Sequence, residues 1–181
     1  MYADISRVLI GKQQIQFKVS ELAKRISYEY AGRDLLMICI LRGATVFFAD
    51  LIRAINIPVR IDFMSVSSYG KSTSSSGEVR IVQDIKTPIE DKDVIIVEDI
   101  IDSGNTLFFL KGVLSARNPS SLKICALLDK PSRREKKIDA DFVGFQIPNE
   151  FVVGYGLDYA DYYRNLPEIC ILDPKKYRKN A

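Results

Sequence analysis

Apolar residues fall along the chain in short uninterrupted runs that alternate with segments of helical spacing. The uninterrupted run Leu35–Leu41, and the run at 122–128 that only Lys123 interrupts, are typical of strands buried on both faces of a sheet. Helical spacing is clearest where Ile15, Val19 and Leu22 fall on one face. The pattern predicts an edge strand at 8–10, helices at 12–30, at 44–55 and from the 93–97 strand to about 116, and strands at 59–66, 79–82, 142–147 and 151–153.

Strands that alternate with helices predict an α/β fold with a mostly parallel central sheet flanked by helices. In the second helix, the spacing directs Val46 and Phe47 toward the core. A length of 181 residues favours one domain. Ligands of such sheets bind beyond the carboxyl ends of the strands. Segments 41–43, 98–99 and 129–130 end strands in this way, so we expect them to form the site.

The composition limits the chemistry. The chain has no histidine, so acid–base catalysis must use carboxylates, lysines or tyrosines. Its three cysteines lack disulfide or zinc spacing, which indicates buried thiols in a reducing compartment. The net charge of +3 is too small to indicate nucleic acid, and the basic clusters at 133–137 and 175–179 are interpreted as solvated loop and tail. With no signal-peptide pattern and no apolar run of about 18 residues, we expect a cytoplasmic protein without a membrane partner.

The most informative segment is 94–107, where an apolar strand runs into three carboxylates, a short polar turn and a helix. Ionised carboxylates are costly to bury, so Glu98 and Asp99 need a partner that stabilises them. The turn offers backbone N–H groups and hydroxyls to an anion at a helix N-terminus. A charged strand–helix connection with a capped helix would use some of the same residues. The combination favours a sugar-phosphate pocket.

This segment resembles the phosphoribosyl pyrophosphate (PRPP) signature of purine phosphoribosyltransferases, and every position of that signature is filled. A second block, Phe151 to Tyr159, is close to the pattern of hypoxanthine-guanine phosphoribosyltransferases. The resemblance spans roughly residues 35–165. One departure is the absence of a further Arg or Lys before the predicted mobile loop, where Met64, Ser65 and Val66 stand.

The resemblance assigns the PRPP-binding side of the pocket. It implies that Glu98 and Asp99 hold the ribose hydroxyls and, with Asp158, help to arrange Mg²⁺. Asp102 becomes the catalytic residue, a general base at the purine, which agrees with the lack of histidine. The phosphoribosyl group is implied to contact Glu98, Asp99, Asp102, Ser103, Gly104, Asn105 and Thr106.

For the pyrophosphate, the family pattern implies Leu41, Arg42 and Gly43, with a cis peptide bond between the first two. Arg164 and the mobile-loop pair Ser68 and Tyr69 are implied to contribute as well. The Ser- and Gly-rich segment 67–77 by itself reads as a linker, but its position between two strands favours a lid over the site.

For the purine, Lys130 is implied to donate to the exocyclic oxygen and Phe151 to stack on the ring. The remaining implied purine contacts are Ile100, the Val152 backbone and Asp158. Without the resemblance, Lys130 would be interpreted as a surface lysine and the 151–159 block as a strand with a glycine-rich turn.

We therefore expect a purine salvage enzyme that joins hypoxanthine or guanine to PRPP, with small molecules as partners and a homodimer or homotetramer as its assembly. The expected organisation is a core at about 35–130 and a hood from 1–10 and 131–181. Two alternatives remain open at this point: an RNA-binding regulator on the same fold, and a xanthine-preferring enzyme with the same chemistry.

Overall fold

A computed structural model describes residues 1–68 and 79–177. None of the helices in these ranges has the length and apolarity that crossing a membrane requires. The helices are α1 (Lys12–Glu29), α2 (Thr45–Ala54), α3 (Asn105–Ser115) and α4 (Pro174–Tyr177). The strands are β1 (Ile5–Ile10), β2 (Leu35–Leu41), β3 (Val59–Ser68), β4 (Val79–Gln83), β5 (Asp93–Ile101), β6 (Ser121–Asp129), β7 (Phe142–Gln146), β8 (Val152–Val153) and β9 (Ile169–Leu172).

The larger sheet has six strands in the order β4-β3-β2-β5-β6-β7. Its strands are parallel except β4, which runs antiparallel to β3 at one edge. Because β2 and β5 are central and covered on both faces, their sequences are nearly continuous apolar runs. This confirms the predicted α/β fold with a mostly parallel, helix-flanked sheet.

The two faces of the larger sheet pack against different helices. Ile95 and Val97 of β5 join the cluster that includes α1 and α2, whereas Val94 and Ile96 join the cluster that includes α3. This alternation follows from the two-residue period of a strand. It continues into the carboxylates at the end of β5 and determines which way each of them faces.

The second sheet has three antiparallel strands in the order β1-β9-β8. Its central strand β9 is buried throughout and was not predicted, because a run of four apolar residues is too short to show a period. We propose that this sheet is the hood. The predicted boundary differs in one respect, since β7 lies in the larger sheet although its residues fall in the range assigned to the hood.

Two local predictions differ from the structure. Val46 was predicted to face the core but is 36% exposed, and Phe48 is buried in its place. The helix starts at Thr45, one residue later than predicted. The buried positions Ala44, Phe47, Phe48 and Leu51 form the i, i+3, i+4, i+7 stripe that faces the core, and Val46 lies outside it. Strand β5 extends to Ile101, past the predicted end at 97, so that the carboxylates lie on the strand itself.

Candidate active site

The loop between β5 and α3 forms an anion cradle. Gly104 has φ 85°, and a Cβ there would lie 2.6 Å from Ile138 Cγ2, so the turn requires glycine. Since the residue before α3 is glycine, it has no side chain with which to cap the first-turn N–H groups. The Asn105 N–H instead donates to the Ser103 hydroxyl at 3.4 Å. The loop borders a cavity of about 90 Å³, lined by Glu98, Ile100, Ile101, Asp102, Ser103, Gly104, Thr106 and Leu107.

A segment after β6 holds this cradle in place. The Ser103 carbonyl accepts hydrogen bonds from the backbone N–H groups of Glu135 (2.9 Å) and Lys136 (3.1 Å). The Asn105 side chain donates to the Glu135 carboxylate at 3.0 Å. The loop conformation is therefore fixed from outside, which leaves its inner side free for a ligand.

Asp102 lies between the cradle and a group of cations. Its carboxylate is 3.9 Å from Lys130 Nζ and 3.3 Å from Arg133 Nε. Arg134 donates to the Asp102 carbonyl at 2.8 Å and also pairs with Asp129. The interpretation of the 133–137 cluster as solvated loop is wrong for Arg134, which is largely buried in this network. Arg134 follows Lys130 by four residues, and this closeness to a predicted site residue was the sequence feature that could have indicated its burial.

Glu98 and Asp99 face opposite sides of β5. Glu98 lines the anion cradle, whereas Asp99 lies against Gly43, where a Cβ would come within 1.7 Å of Asp99 Oδ2. Burial raises the pKa of Asp99 to about 6. Burial, together with the charge of Asp99, raises the pKa of Glu98 well above its ordinary value. Two buried acids that resist ionisation fit a cation or a diol as their partner.

Replacing Asp99 with Asn is expected to stabilise the free protein at pH 7.5 by about 3 kcal/mol, or roughly 6–12 °C in Tm. A carboxyl whose pKa is raised on folding costs stability as the pH rises from about 4 to about 6, and an amide does not. The gain should therefore disappear near pH 4. Thermal unfolding at several pH values measures it.

Asp62→Asn is the matched control. Burial opposes the charge of Asp62, but backbone N–H donors from Thr87 (2.8 Å), Phe63 (2.7 Å) and Lys86 (2.9 Å) outweigh it and lower its pKa. Its amide variant should lose stability at pH 7.5, and the loss should shrink as the pH falls. If both variants shift Tm in the same direction, the assigned cost of burying Asp99 is wrong.

The predicted pyrophosphate side of the site is built around Gly43. The predicted cis peptide bond between Leu41 and Arg42 is present. Gly156, with φ 102°, packs so closely that a Cβ would lie 2.1 Å from the Gly43 carbonyl. Position 43 has room only for glycine, because the carboxylate of Asp99 lies on one side and the backbone of Gly156 packs on the other.

Charged side chains connect this glycine contact to Asp158. Arg164 pairs with Asp158 at 2.7 Å and with Asp161 at 3.2 Å, and it donates to the Gly156 carbonyl at 2.7 Å. Arg42 reaches the same Asp161 at 3.4 Å. The two predicted pyrophosphate arginines thus converge on one carboxylate. Ser68 ends β3, and Tyr69 and most of the predicted lid lie outside the described residues.

Lys130 connects Asp102 to the segment that contains Phe151. Lys130 is only 6% exposed, and burial lowers its pKa. Its Nζ donates to the Glu150 carbonyl at 3.0 Å, which places it beside Phe151. Phe151 is 37% exposed and stacks on Tyr177, with ring centroids 4.8 Å apart. Val152 is buried and pairs with β9. We call Lys130, Phe151 and Val152 the purine wall.

The structure therefore brings most of the predicted site residues to one edge of the sheet, around Asp102 and Gly43. Ile100 lines the anion cradle and packs on the core. Tyr177, Arg133 and Arg134 were missed, since basic clusters near a loop and near the end of the printed sequence are usually solvated.

This fold and site define a class of protein. A family model described as a phosphoribosyl transferase domain matches residues 9–160, and the chain belongs to this family. Within it, the chain is 53% identical to the hypoxanthine-guanine phosphoribosyltransferase of Bacillus subtilis over 177 residues, which cover 98% of each protein. A crystal structure of a hypoxanthine phosphoribosyltransferase from Staphylococcus aureus superposes with a TM-score of 0.95 at 46% identity, covering 99% of this chain and 97% of that one.

A longer relative also matches. The bifunctional protein TilS/HprT of Listeria monocytogenes serotype 4b is 50% identical over 177 residues, or 98% of this chain, but the chain spans only 27% of that protein's length. Together the comparisons confirm the predicted resemblance to hypoxanthine-guanine phosphoribosyltransferases.

Proposed function

We propose that the protein transfers the phosphoribosyl group of PRPP to hypoxanthine or guanine, giving IMP or GMP and pyrophosphate. The observation that carries the proposal is the position of Asp102, which lines the anion cradle and lies 3.9 Å from Lys130 of the purine wall. One carboxylate is thus shared by a sugar-phosphate site and a site suited to a base. The names of the full-length relatives support the same reaction.

At the sugar, the anion cradle receives the 5′-phosphate. The backbone N–H groups of residues 103–106 point at the phosphate from the helix N-terminus, where the dipole favours negative charge. Ser103 and Thr106 add hydroxyl donors. Glu98 and Asp99 accept hydrogen bonds from the ribose hydroxyls, which replaces the solvation that burial removes from their charged forms.

At the base, Lys130 donates to the exocyclic oxygen of a 6-oxopurine. A buried ammonium group offers only donors, so the amino group of adenine would leave it unpaired. Phe151 stacks on the ring, and Ile100 and the Val152 backbone complete the purine contacts. Asp102 accepts the proton that leaves the purine ring nitrogen as the glycosidic bond forms, and its carboxylate lies beside Lys130 and Arg133.

At the leaving group, the 41–43 loop, Arg42 and Arg164 bind pyrophosphate, with Ser68 and Tyr69 of the lid. In the free protein, both arginine side chains pair with the carboxylate of Asp161. When pyrophosphate binds, it replaces that carboxylate as the anion beside the two guanidinium groups. This exchange lowers the cost of bringing two guanidinium groups together.

Enzymes of this family generally need Mg²⁺ to bind PRPP. Asp99, a buried carboxylate against Gly43, and Asp158 offer the oxygen ligands that Mg²⁺ takes, and Glu98 fits it through the ribose. Within residues 1–68 and 79–177, no cluster of three or more metal-binding side chains forms, so substrate oxygens would supply most ligands. The ion would neutralise the charge of the leaving pyrophosphate.

The relatives act on small molecules. We propose that the protein assembles as a homodimer or homotetramer and works in the cytoplasm. The three cysteines are buried and unpaired, which supports a reducing compartment.

Purified protein with PRPP, Mg²⁺ and one purine at a time tests the reaction. Hypoxanthine and guanine are expected to yield nucleoside 5′-monophosphate, followed by absorbance and chromatography, and adenine is expected to yield none. Faster turnover of xanthine would correct the substrate preference. If no purine is converted while RNA is retained at physiological salt, the enzymatic assignment is wrong.

A further inference from the structure

The helix α4 contacts the purine wall through its last described residue. The ring of Tyr177 stacks on Phe151 with centroids 4.8 Å apart and an interplanar angle of 25°. Tyr159 makes a T-shaped contact with the same ring, with centroids 5.6 Å apart and an interplanar angle of 89°. Phe151 is thus held by two aromatic rings from two different segments, and the residue as a whole is still 37% exposed.

Other contacts hold α4 in this position. Tyr159 donates its hydroxyl to the Lys176 carbonyl at 3.1 Å. Lys176 Nζ pairs with Asp4 at 2.6 Å, and Asp4 also accepts a hydrogen bond from Tyr163 at 3.0 Å. The placement of the Tyr177 ring is therefore determined by the first turn of the chain and by the 159–163 segment together.

The backbone of Phe151 is fixed separately. Its carbonyl accepts the Leu172 N–H at 3.0 Å, and the following residue pairs with β9. A fixed backbone still leaves a phenylalanine ring free to choose among rotamers. A ring stacked against one aromatic ring and in T-shaped contact with a second is limited to one rotamer, and its exposed surface is available to a ligand.

We propose that Tyr177 is a positioning residue for the purine: it holds the Phe151 ring in the orientation in which the open part of that ring stacks on the base. The inference rests on the proposed function, in which Phe151 is the stacking residue. Tyr177 acts only through Phe151, so its effect should fall on the purine and not on PRPP.

Replacing Tyr177 with Ala is expected to raise KM for hypoxanthine roughly 2- to 12-fold, the value of one aromatic pair. KM for PRPP and the pH profile of kcat should remain within twofold of wild type. Tyr177→Phe keeps the stacked ring and should restore the wild-type KM. Tyr177→Leu keeps apolar volume without an aromatic face, and it should retain the wild-type Tm but not the purine KM.

Lys176→Ala is the matched control, since it removes one of the contacts that hold α4, the ion pair with Asp4, but keeps the Tyr177 ring and the hydrogen bond from Tyr159 to the α4 backbone. It should change KM for hypoxanthine less than Tyr177→Ala does. If Tyr177→Leu, folded and active, has the wild-type KM for hypoxanthine, the positioning role is overturned while the proposed function stands. If the wild-type protein converts no purine, the proposed function fails first, and that result is separate from any effect of Tyr177.

Discussion

Asp102→Asn is expected to lower kcat with hypoxanthine by about 10²- to 10⁴-fold, while KM for both substrates changes far less. The amide keeps the size and shape of the side chain but cannot accept the proton from the purine. Lys130 and Arg133 would remain beside it without their carboxylate. Steady-state kinetics with each substrate varied in turn measures the effect.

Glu135→Gln serves as the control for Asp102→Asn. Glu135 belongs to the segment that supports the same loop, and its carboxylate accepts from Asn105. An amide oxygen can still accept that hydrogen bond, so kcat should stay within about twofold of wild type. A near-wild-type kcat for Asp102→Asn would refute the role of Asp102 as the base.

Lys130→Met is expected to lower kcat/KM for hypoxanthine roughly 10- to 150-fold, which corresponds to the loss of one charge-assisted hydrogen bond. KM for PRPP should be unchanged, and discrimination against adenine should weaken because the donor to the 6-oxo group is gone. The Tm should not fall, because methionine fills a similar volume without the cost of burying an ammonium group.

Lys123→Met is the control for Lys130→Met. Lys123 lies earlier on β6, where it pairs with Glu29. Its replacement should leave the kinetics with both substrates unchanged. If Lys130→Met binds hypoxanthine as wild type does, Lys130 does not recognise the purine, and specificity must come from the backbone near Val152.

Much of the larger sheet could be predicted because buried parallel strands have a direct signature. The prediction for 35–41 matches β2 residue for residue, since a run of seven apolar residues ends abruptly at Arg42. The cradle between β5 and α3 was predicted for a related reason. Carboxylates at the end of a buried strand are costly to desolvate when they have no partner, so their presence before the loop indicates a ligand.

What could not be predicted depends on contacts between distant segments. Glu98 and Asp99 are neighbours in the sequence, but Glu98 faces the anion cradle and Asp99 faces Gly43. This difference becomes clear only once the register of β5 is known. Arg134 and Tyr177 lie in basic stretches that are usually solvated. Their burial depends on Asp129 and Phe151, which the sequence does not place beside them.

The three-stranded sheet has a consequence for synthesis on the ribosome. Strand β1 ends at Ile10, but its partner β9 begins at Ile169. Strand β1 therefore cannot pair until the segments between these two strands have been synthesised. The anion cradle and its supporting segment are complete once residue 138 has emerged. Co-translational folding therefore completes the anion cradle first, and the three-stranded sheet that holds Val152 of the purine wall forms last.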